Sequence, residues 1–457
     1  MTGTDRRAPW YAGRRALVVG MARSGVAAAR LLAGHGCRVA GLDLKAGAAL
    51  AAERDALAAA GVEIRIGPHD PAWLGEADLV VVSPGVRSDH PFFEAARAHG
   101  VDVVSEIEVA FAASPAEVLA VTGTNGKSTT TSMIGSILAA AGMPHAVAGN
   151  IGLAYSAVAS QEGTIALEVS SFQLENIRDF RPRVGVLLNV TPDHQDRYDD
   201  VEAYARAKGN LFRNQTSEDT AVFRRGDPWG GRLREGVRAR VLTFGTEPPA
   251  EDGVYVSGEW IRWRGDGRDV PVLEARRVGA PGPHNLENAM AAAAACLAHG
   301  VPVAWVAAGL AGYRSLEHRL EPVAEIGGVR YVNDSKATNI DAIRMALLSY
   351  ETPVLLIAGG RDKGADWGTL LSLVRERARV ALLIGEAARP IAAAWEGVER
   401  IQAGTLAEAV RRAHEIARPG EVVLLSPGCA SFDQFTDYED RGRRFKEAVR
   451  SLQGAGR

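Results

Sequence analysis

Short apolar runs alternate with alanine-rich segments of helical character along most of the chain. The runs are rich in Val, Leu and Ile and occur at residues 14–20, 77–85, 118–123, 164–170, 184–190, 329–335, 353–360, 379–386 and 421–428. Buried parallel strands joined by crossover helices give this pattern. The chain is therefore predicted to have an α/β fold built on parallel sheets.

The alternation begins again at two points inside the chain, which predicts three α/β domains. We place them at residues 1–105, 106–315 and 316–457. Residues 222–280 differ, because their apolar positions alternate with Gly and Arg in short runs such as GVYVSGEWIRW. Such alternation predicts antiparallel strands appended to the second domain.

The composition excludes several classes of protein. Of the 457 residues, 47% are hydrophobic and 23% are charged, as in soluble globular chains and unlike collagen-like, disordered or coiled-coil chains. The formal net charge is −3 and no basic run occurs, so neither nucleic acid nor an anionic membrane is an expected partner. We expect small-molecule partners and a monomer.

The cysteines and the apolar segments bear on the compartment. Cys37, Cys296 and Cys429 are far apart and form no C-x-x-C pair, which argues against a zinc site and favours a reducing environment. The most apolar stretch, AMAAAAACLAHG, is too short to span a bilayer, and the first residues contain no export signal. We expect a cytoplasmic protein.

Lysine is rare in this chain, since only six of the 52 basic residues are lysines. Arginine is thus the usual surface cation, and each lysine is a candidate for chemistry that arginine cannot perform. Four of the six lie in candidate motifs: Lys127, Lys208 at the end of YARAK (204–208), Lys336 and Lys363.

The strongest motif is VTGTNGKST at residues 121–129, which follows an apolar strand and precedes a helical stretch. In such a loop, backbone N–H groups and a helix N-terminus bind phosphate oxygens, lysine neutralises charge and a hydroxyl reaches Mg²⁺. Val121 replaces the first glycine of the general P-loop pattern. An ordinary Gly-rich turn would not explain a rare lysine beside several hydroxyls, so we predict a phosphate-binding loop.

Two polar side chains follow neighbouring predicted strands. Because ligands of open α/β sheets bind at the carboxyl ends of strands, Glu168 is placed to hold the Mg²⁺ and His194 to reach a second ion. Taken singly, Glu168 could equally cap a helix and His194 could lie in a solvated turn. The phosphate loop beside them favours the functional interpretation.

The first and third blocks also contain candidate anion sites. Residues 20–25 and Asp43 have the spacing of a dinucleotide site, but alanine replaces the middle glycine, so the motif indicates only a nucleotide-like diphosphate, with residues 83–85 beside it. In the third block, Lys336 and Lys363 follow strands among Gly, Asp and Ser residues. These loops indicate a basic pocket for an anionic group.

Together, these motifs resemble the Mur ligase family over essentially the whole chain. The matching segments occur in the family's order: EVSSFQLE (168–175), NVTPDHQDRY (189–198), PHNLEN (283–288), EHR (317–319), NDSKATN (333–339) and CASFDQF (429–435). The resemblance implies an N-terminal Rossmann-like UDP-sugar-binding domain, a central P-loop ATPase-type domain with appended strands, and a C-terminal Rossmann-like domain that binds the amino acid.

The resemblance also implies an activity, ATP-dependent amide-bond formation in peptidoglycan precursor synthesis. The terminal carboxylate of UDP-N-acetylmuramoyl-L-alanine would take the γ-phosphoryl group of ATP to give an acyl phosphate. The amine of D-glutamate would then displace phosphate. The implied cofactors are two Mg²⁺ or Mn²⁺ ions, held in part by a carbamylated lysine.

The family's residue roles carry over motif by motif. ATP would be bound by Gly123, Thr124, Asn125, Gly126, Lys127, Ser128, Thr129, Asn285, Asn288, Arg319 and Asp334. The metal ions would be held by Ser128, Glu168, His194 and carbamylated Lys208. The UDP sugar would contact Ser24, Gly25, Asp43, Ser83, Pro84, Gly85, Asn150 and His194. D-Glutamate would contact Thr338, Lys363, Ser431 and Tyr438. The catalytic residues would be Lys127, Glu168, His194, Lys208 and Lys336.

Several alternatives stay open on the sequence. A ligase that adds L-glutamate to the same nucleotide, or a folylpolyglutamate synthase, would share the phosphate loop. An NAD-dependent oxidoreductase would use only the first block, and a non-catalytic nucleotide-binding regulator would need no second metal. The oxidoreductase would leave the second and third domains unexplained, and the set formed by Glu168, His194 and Lys208 argues against the regulator.

Overall fold

Three β-sheets form the framework of the protein. The computed structural model describes residues 8–45, 47–194, 197–280, 282–362 and 364–454. These residues form two compact units, of which one contains the first two sheets and the other contains the third. Each of the nine apolar runs that the pattern predicts to be strands contains one.

The first sheet has five parallel strands in the order β3-β2-β1-β4-β5. The strands are β1 Arg15–Val19, β2 Arg38–Asp43, β3 Glu63–Ile66, β4 Leu79–Val82 and β5 Asp102–Ser105. The helices are α1 Arg23–Gly34, α2 Ala48–Ala59, α3 Pro91–Ala98 and α4 Glu106–Ala113. The strand order reverses between β1 and β4, the point at which open α/β sheets bind ligands.

The second sheet has nine strands in the order β14-β13-β12-β11-β10-β9-β6-β8-β7. The strands are β6 Glu117–Thr122, β7 His145–Gly149, β8 Thr164–Glu168, β9 Val184–Leu187, β10 Thr220–Arg224, β11 Arg240–Gly245, β12 Gly253–Ser257, β13 Trp260–Gly265 and β14 Arg268–Glu274. The helices are α5 Lys127–Ala140, α6 Tyr155–Val158, α7 Ser171–Leu174, α8 Val201–Gly209, α9 Pro228–Leu233, α10 Pro283–Ala298 and α11 Val303–Gly312.

The prediction of antiparallel strands over residues 222–280 is only partly right. β13 pairs antiparallel with both β12 and β14. β11, however, pairs parallel with β10 and with β12, so the prediction is wrong there. The connection from β10 to β11 contains α9, and a crossover of this kind returns the chain in a parallel direction.

The third sheet has six strands in the order β15-β16-β20-β17-β18-β19, and only the pair β15–β16 is antiparallel. The strands are β15 Glu321–Ile326, β16 Val329–Asn333, β17 Val354–Gly359, β18 Ala378–Ile384, β19 Arg400–Gly404 and β20 Val422–Leu425. The helices are α12 Ile340–Leu348, α13 Leu371–Arg377, α14 Ala388–Ala394, α15 Leu406–Ile416 and α16 Tyr438–Gly454.

The central strands of each sheet are buried on both faces. Every residue of β4, β17 and β20 is buried, which explains their unbroken apolar sequences because helices cover both sides of the sheet. None of the three cysteines forms a disulfide. Among the described residues, no helix has the length and apolar character needed to cross a bilayer.

Candidate active site

The phosphate loop begins where β6, an interior strand of the second sheet, ends, and runs into the first turn of α5. Gly123 and Gly126 have φ angles of 150° and 87°, which favour glycine. A Cβ atom on Gly126 would lie 2.3 Å from Asn288 Oδ1. The loop therefore turns tightly, and Ser128 and Thr129 are buried in the first helical turn.

Two lysines converge on one carbonyl oxygen of this loop. Lys127 Nζ donates to Gly123 O and to Thr124 O, each at 2.8 Å, and Lys208 Nζ from α8 donates to the same Gly123 O at 2.9 Å. Lys208 is only 1% exposed. Its burial and the neighbouring charge of Lys127 hold the pKa of Lys208 well below the usual lysine value, so this amine gives up its proton more readily than a surface lysine.

Glu168 is the last residue of β8 and lies opposite Val121 of β6 in the sheet register. It is 2% exposed. Its Oε1 accepts a hydrogen bond from Asn150 Nδ2 at 3.2 Å, whereas Oε2 is buried and has no hydrogen-bond partner among the described residues. A buried carboxylate oxygen without a partner is costly, and a hard cation would satisfy it.

His194 follows β9 and has a left-handed φ of 54°. Its ring centroid lies 4.8 Å from that of Phe172 and 6.0 Å from that of Tyr204. The Tyr204 centroid in turn lies 4.2 Å from Lys208 Nζ. His194 and Lys208, both predicted metal ligands, therefore share one aromatic neighbour.

Two residues that the sequence analysis assigned no role help to form this site. Asn189 accepts a hydrogen bond from the backbone N–H of Asn125 at 2.9 Å and donates to the carbonyl of Asn125 at 3.2 Å. Tyr204 packs against Lys208 as described above. Asn189 lies inside the segment NVTPDHQDRY, and Tyr204 begins the segment YARAK that ends at Lys208, so position within a motif was the available signal.

Helix α10 packs onto the same loop through Asn288. Thr130 Oγ1 donates to Asn288 Oδ1 at 3.3 Å. Asn288 is buried and belongs to the first compact unit, while Asn285, also buried, belongs to the second.

The predicted UDP-sugar residues of the first block lie at the carboxyl ends of β1, β2 and β4. Asp43 Oδ2 accepts from the backbone N–H of Met21 at 2.7 Å, and Ser83 Oγ donates to Gly20 O at 2.5 Å. A Cβ on Gly25 would lie 1.9 Å from Gly20 O, so helix α1 approaches the loop too closely for any side chain there. The same edge contains Ser24, Pro84 and Gly85.

Arg197 joins this edge to the loop that contains His194. Its Nη1 donates to Pro84 O at 3.3 Å, and its Nη2 donates to Glu175 Oε2 at 2.8 Å. The guanidinium lies 3.9 Å from the ring centroid of Phe172. The predicted UDP-sugar residues and metal ligands of the first unit therefore form one connected region.

In the second compact unit, Lys336 and Asp334 occupy the loop after β16. Lys336 Nζ donates to Tyr438 Oη at 3.2 Å. Asp334 is buried, with Oδ2 accepting from Ser426 Oγ at 2.8 Å and Oδ1 accepting from Leu320 N at 3.2 Å. Burial raises the pKa of Asp334 to about 7.

Arg441 of α16, which the sequence analysis did not identify, connects two loops of this unit. It is fully buried and donates to Ser335 O at 2.7 Å, to Ser335 Oγ at 2.9 Å and to Cys429 O at 3.1 Å. Helix α16 thus ties the loop of Lys336 to the segment that contains Ser431, which is also buried.

The remaining predicted residues of the second unit are placed as follows. Arg319 is close to His284, whose pKa is lowered to about 4 by burial and by this cation. Thr338 is half-buried just before α12. Lys363 lies outside the described residues.

The residues of the first unit fit ATP and a divalent cation. Gly126 leaves a backbone cradle that a side chain would fill, Lys127 and the α5 N-terminus provide positive charge, and Glu168 has a buried carboxylate oxygen that lacks a partner. A loop of this type on an open α/β sheet, beside a buried carboxylate, defines a nucleoside-triphosphate-binding enzyme.

Comparison with known proteins agrees with this class. Three family models match: "Mur ligase MurD-like, N-terminal domain" over residues 14–105, "Mur ligase middle domain" over residues 121–296, and "Mur ligase, glutamate ligase domain" over residues 318–429. The chain belongs to the Mur ligase family, whose members are ATP-dependent ligases that use Mg²⁺.

Individual relatives match over nearly their full length. A UDP-N-acetylmuramoylalanine–D-glutamate ligase of Pelotomaculum thermopropionicum is 45% identical over 96% of this chain and 98% of its own length. A ligase of the same name from Geobacter metallireducens is 44% identical over 96% and 98%. The crystal structure of UDP-N-acetylmuramate–alanine ligase from Thermotoga maritima has the same fold, with a TM-score of 0.61 and 21% identity over 96% of this chain and all of that chain.

Proposed function

We propose that the protein joins D-glutamate to UDP-N-acetylmuramoyl-L-alanine in peptidoglycan precursor synthesis, with cleavage of ATP to ADP and phosphate. The observation that carries this proposal is the buried pair of Glu168 and Lys208 beside the phosphate loop, in a chain 45% identical to a relative of that name. The sugar nucleotide and the amino acid are the small-molecule partners. We expect the enzyme to act as a cytoplasmic monomer.

The loop residues 123–129 would bind the phosphates of ATP, Asn285 and Asn288 would lie near its adenine, and Arg319 and Asp334 would also contact the nucleotide. Ser128 and Glu168 would hold one Mg²⁺, and His194 with Lys208 would hold a second. The ions would offset the negative charge that otherwise keeps a carboxylate and a phosphoryl group apart.

Lys208 is suited to carbamylation, which attaches CO₂ to its amine. The neutral amine nitrogen attacks the carbon of CO₂, an N–C bond forms, and a proton leaves to give a carbamate anion. Burial beside Lys127 favours the neutral amine that this step requires. The product is an anion that can bind a metal ion, and an arginine could not form it at neutral pH.

The ligation would take place in two steps. A carboxylate oxygen of the sugar nucleotide bonds to the γ-phosphorus while the bond to ADP breaks, and Lys127 and Lys336 are the cations of this chain that we assign to the transferring phosphoryl group. The amine nitrogen of D-glutamate then bonds to the acyl carbon, the bond from that carbon to the phosphate oxygen breaks with its electron pair on the leaving phosphate, and the nitrogen loses a proton.

Each substrate would be held by a separate group of residues. The UDP sugar would be bound by Ser24, Gly25, Asp43, Ser83, Pro84, Gly85, Asn150 and His194. The carboxylates of D-glutamate would be bound by Thr338, Lys363, Ser431 and Tyr438. The hydrogen bond between Lys336 and Tyr438 supports placing the phosphoryl and amino-acid groups close together.

The test is ADP release by the purified protein with Mg-ATP and UDP-N-acetylmuramoyl-L-alanine, comparing D-glutamate, L-glutamate, other amino acids and no amine. We expect release that needs both the sugar nucleotide and D-glutamate. A preference for L-glutamate would move the assignment to the L-glutamate ligase. Release with a folate acceptor instead of the sugar nucleotide would favour the folylpolyglutamate synthase alternative.

A further inference from the structure

The loop before β15 has an unusual backbone. His318 and Leu320, on either side of Arg319, have φ angles of 65° and 41°. Residues other than glycine rarely adopt this region, and they remain there only where neighbouring groups hold them. The groups that hold this loop therefore determine where Arg319 lies.

One of these groups is the face of α16 at Gly442. The His318 side chain is buried there, and a Cβ on Gly442 would lie 2.1 Å from His318 Nδ1. Asn333 Nδ2 is 2.8 Å from the same ring nitrogen, and since an amide NH₂ only donates, Nδ1 is the acceptor. The imidazole is thus fixed between α16 and β16.

One helical turn further along α16, Lys446 binds the two carboxylates that flank His318. Its Nζ donates to Glu317 Oε1 and, at 3.1 Å, to Glu321 Oε1. Glu321 Oε2 in turn accepts from the backbone N–H of His318 at 2.9 Å. Ligand atoms of Glu317, His318 and Glu321 lie within 4.8 Å of one another, as in a metal site, but the Lys446 ammonium already donates a hydrogen bond to each carboxylate.

The loop is also bonded to the segment that contains Lys336. The carbonyl of His318 accepts from the backbone N–H of Lys336 at 3.1 Å, and the N–H of Leu320 donates to Asp334 Oδ1 at 3.2 Å. A shift of the loop would therefore move Arg319, Asp334 and Lys336 together.

We propose that Lys446 and Gly442 are positioning residues for the nucleotide, because they hold the 317–320 loop in its left-handed conformation. This inference rests on the proposed function, in which Arg319, Asp334 and Lys336 contact ATP. It gives a role to Lys446, one of the two lysines of this chain that lie outside the motifs shared with the family.

The test uses Lys446→Met, with Arg450→Met as the matched control because Arg450 is an exposed cation on the same helix. We expect Lys446→Met to raise the Kd for the non-hydrolysable analogue Mg-AMPPNP and the KM for ATP about tenfold, with the KM for the sugar nucleotide changed less than twofold. Lys446→Arg should restore most of the affinity. An unchanged Kd and KM for Lys446→Met, or a loss confined to kcat, would overturn the inference.

Gly442→Ala provides a second test that does not depend on a lost ion pair. Alanine favours helix more than glycine does, so a purely helical effect would raise the melting temperature and leave nucleotide affinity alone. We expect a Kd for Mg-AMPPNP raised at least tenfold, and unchanged affinity would contradict the role of Gly442. Wild-type protein that binds the analogue but does not turn over the sugar nucleotide would refute the proposed function while leaving this inference standing. Wild-type protein that does not bind the analogue would refute both.

Discussion

At the scale of single residues, the proposed metal site depends most on Lys208. We predict that Lys208→Ala lowers kcat by roughly 10²–10³, and that a short carboxylate such as acetate restores part of the activity by replacing the carbamate. Arg206→Ala is the matched control, because Arg206 lies on the same helix, is exposed and forms an ion pair with Glu202 at the surface. Full activity of Lys208→Ala in carbonate-free buffer would rule out the carbamate.

Asp334 should link stability to pH. Its pKa is raised to about 7 in the folded protein, so it stabilises the fold most at pH values below the unfolded pKa near 4, and this contribution is lost as the pH rises through about 7. We predict that Asp334→Asn becomes progressively more stable relative to wild type between pH 4 and pH 7, by as much as about 4 kcal/mol at ~1.4 kcal/mol per pH unit. Urea unfolding at several pH values measures this difference. Glu447→Gln, an exposed change on α16, should show no such trend.

The identities of the candidate site residues were more predictable than their contacts. Motif position and the rarity of lysine were enough to select Lys127, Glu168 and Lys208. Both lysines donate to Gly123 O, and the bond from Lys208 joins residues that are 85 positions apart in the chain. No local sequence pattern encodes such a contact. Arg441 was missed for a similar reason, because one buried arginine cannot be distinguished by sequence from the many arginines at the surface.

At the scale of elements, the turn from β6 to α5 can be tested with two glycines at opposite ends of the same helix. Gly126 has a φ of 87° and no room for a Cβ, whereas Gly142 has a φ of 66° and open space around it. We predict that Gly126→Ala raises the Kd for Mg-ADP more than tenfold, as measured by calorimetry. Gly142→Ala should cost roughly 1 kcal/mol of stability and leave the Kd unchanged. An equal rise in the Kd for Mg-ADP in both variants would mean that backbone strain alone, and not crowding at the loop, weakens nucleotide binding.

Strands that are buried along their whole length were predictable, and several at the sheet edges were not. β17 and β20 are buried along their whole length and appear as continuous apolar runs. β15 and β19 are edge strands whose positions are exposed or half-buried, so their sequences EPVAEI and RIQAG lack a continuous run. A strand that is covered on one side alone has fewer apolar positions, so edge strands are harder to find from the sequence.

At the scale of the whole molecule, ligand binding should appear as thermal stability. A ligand that binds only the folded protein at 100 times its Kd adds about 2.7 kcal/mol, so Mg-ADP should raise the melting temperature by several degrees. Because Glu168 is the buried carboxylate assigned to the metal, EDTA should remove most of this shift in wild type. Glu168→Gln should already lack that part of the shift, while the exposed control Glu235→Gln should retain it. A shift that is identical with and without Mg²⁺ would contradict the metal assignment.

The hydrogen bond from Asn150 to Glu168 has a consequence for the order in which ligands assemble. Asn150 is assigned to the sugar nucleotide and Glu168 to the metal. Each ligand would therefore contact a residue that is hydrogen-bonded to the residue assigned to the other ligand. By thermodynamic reciprocity, if Mg²⁺ strengthens sugar-nucleotide binding by some factor, the sugar nucleotide strengthens Mg²⁺ binding by the same factor. The concentration of free magnesium would then set how fully the enzyme is loaded with its acceptor, before any ATP is cleaved.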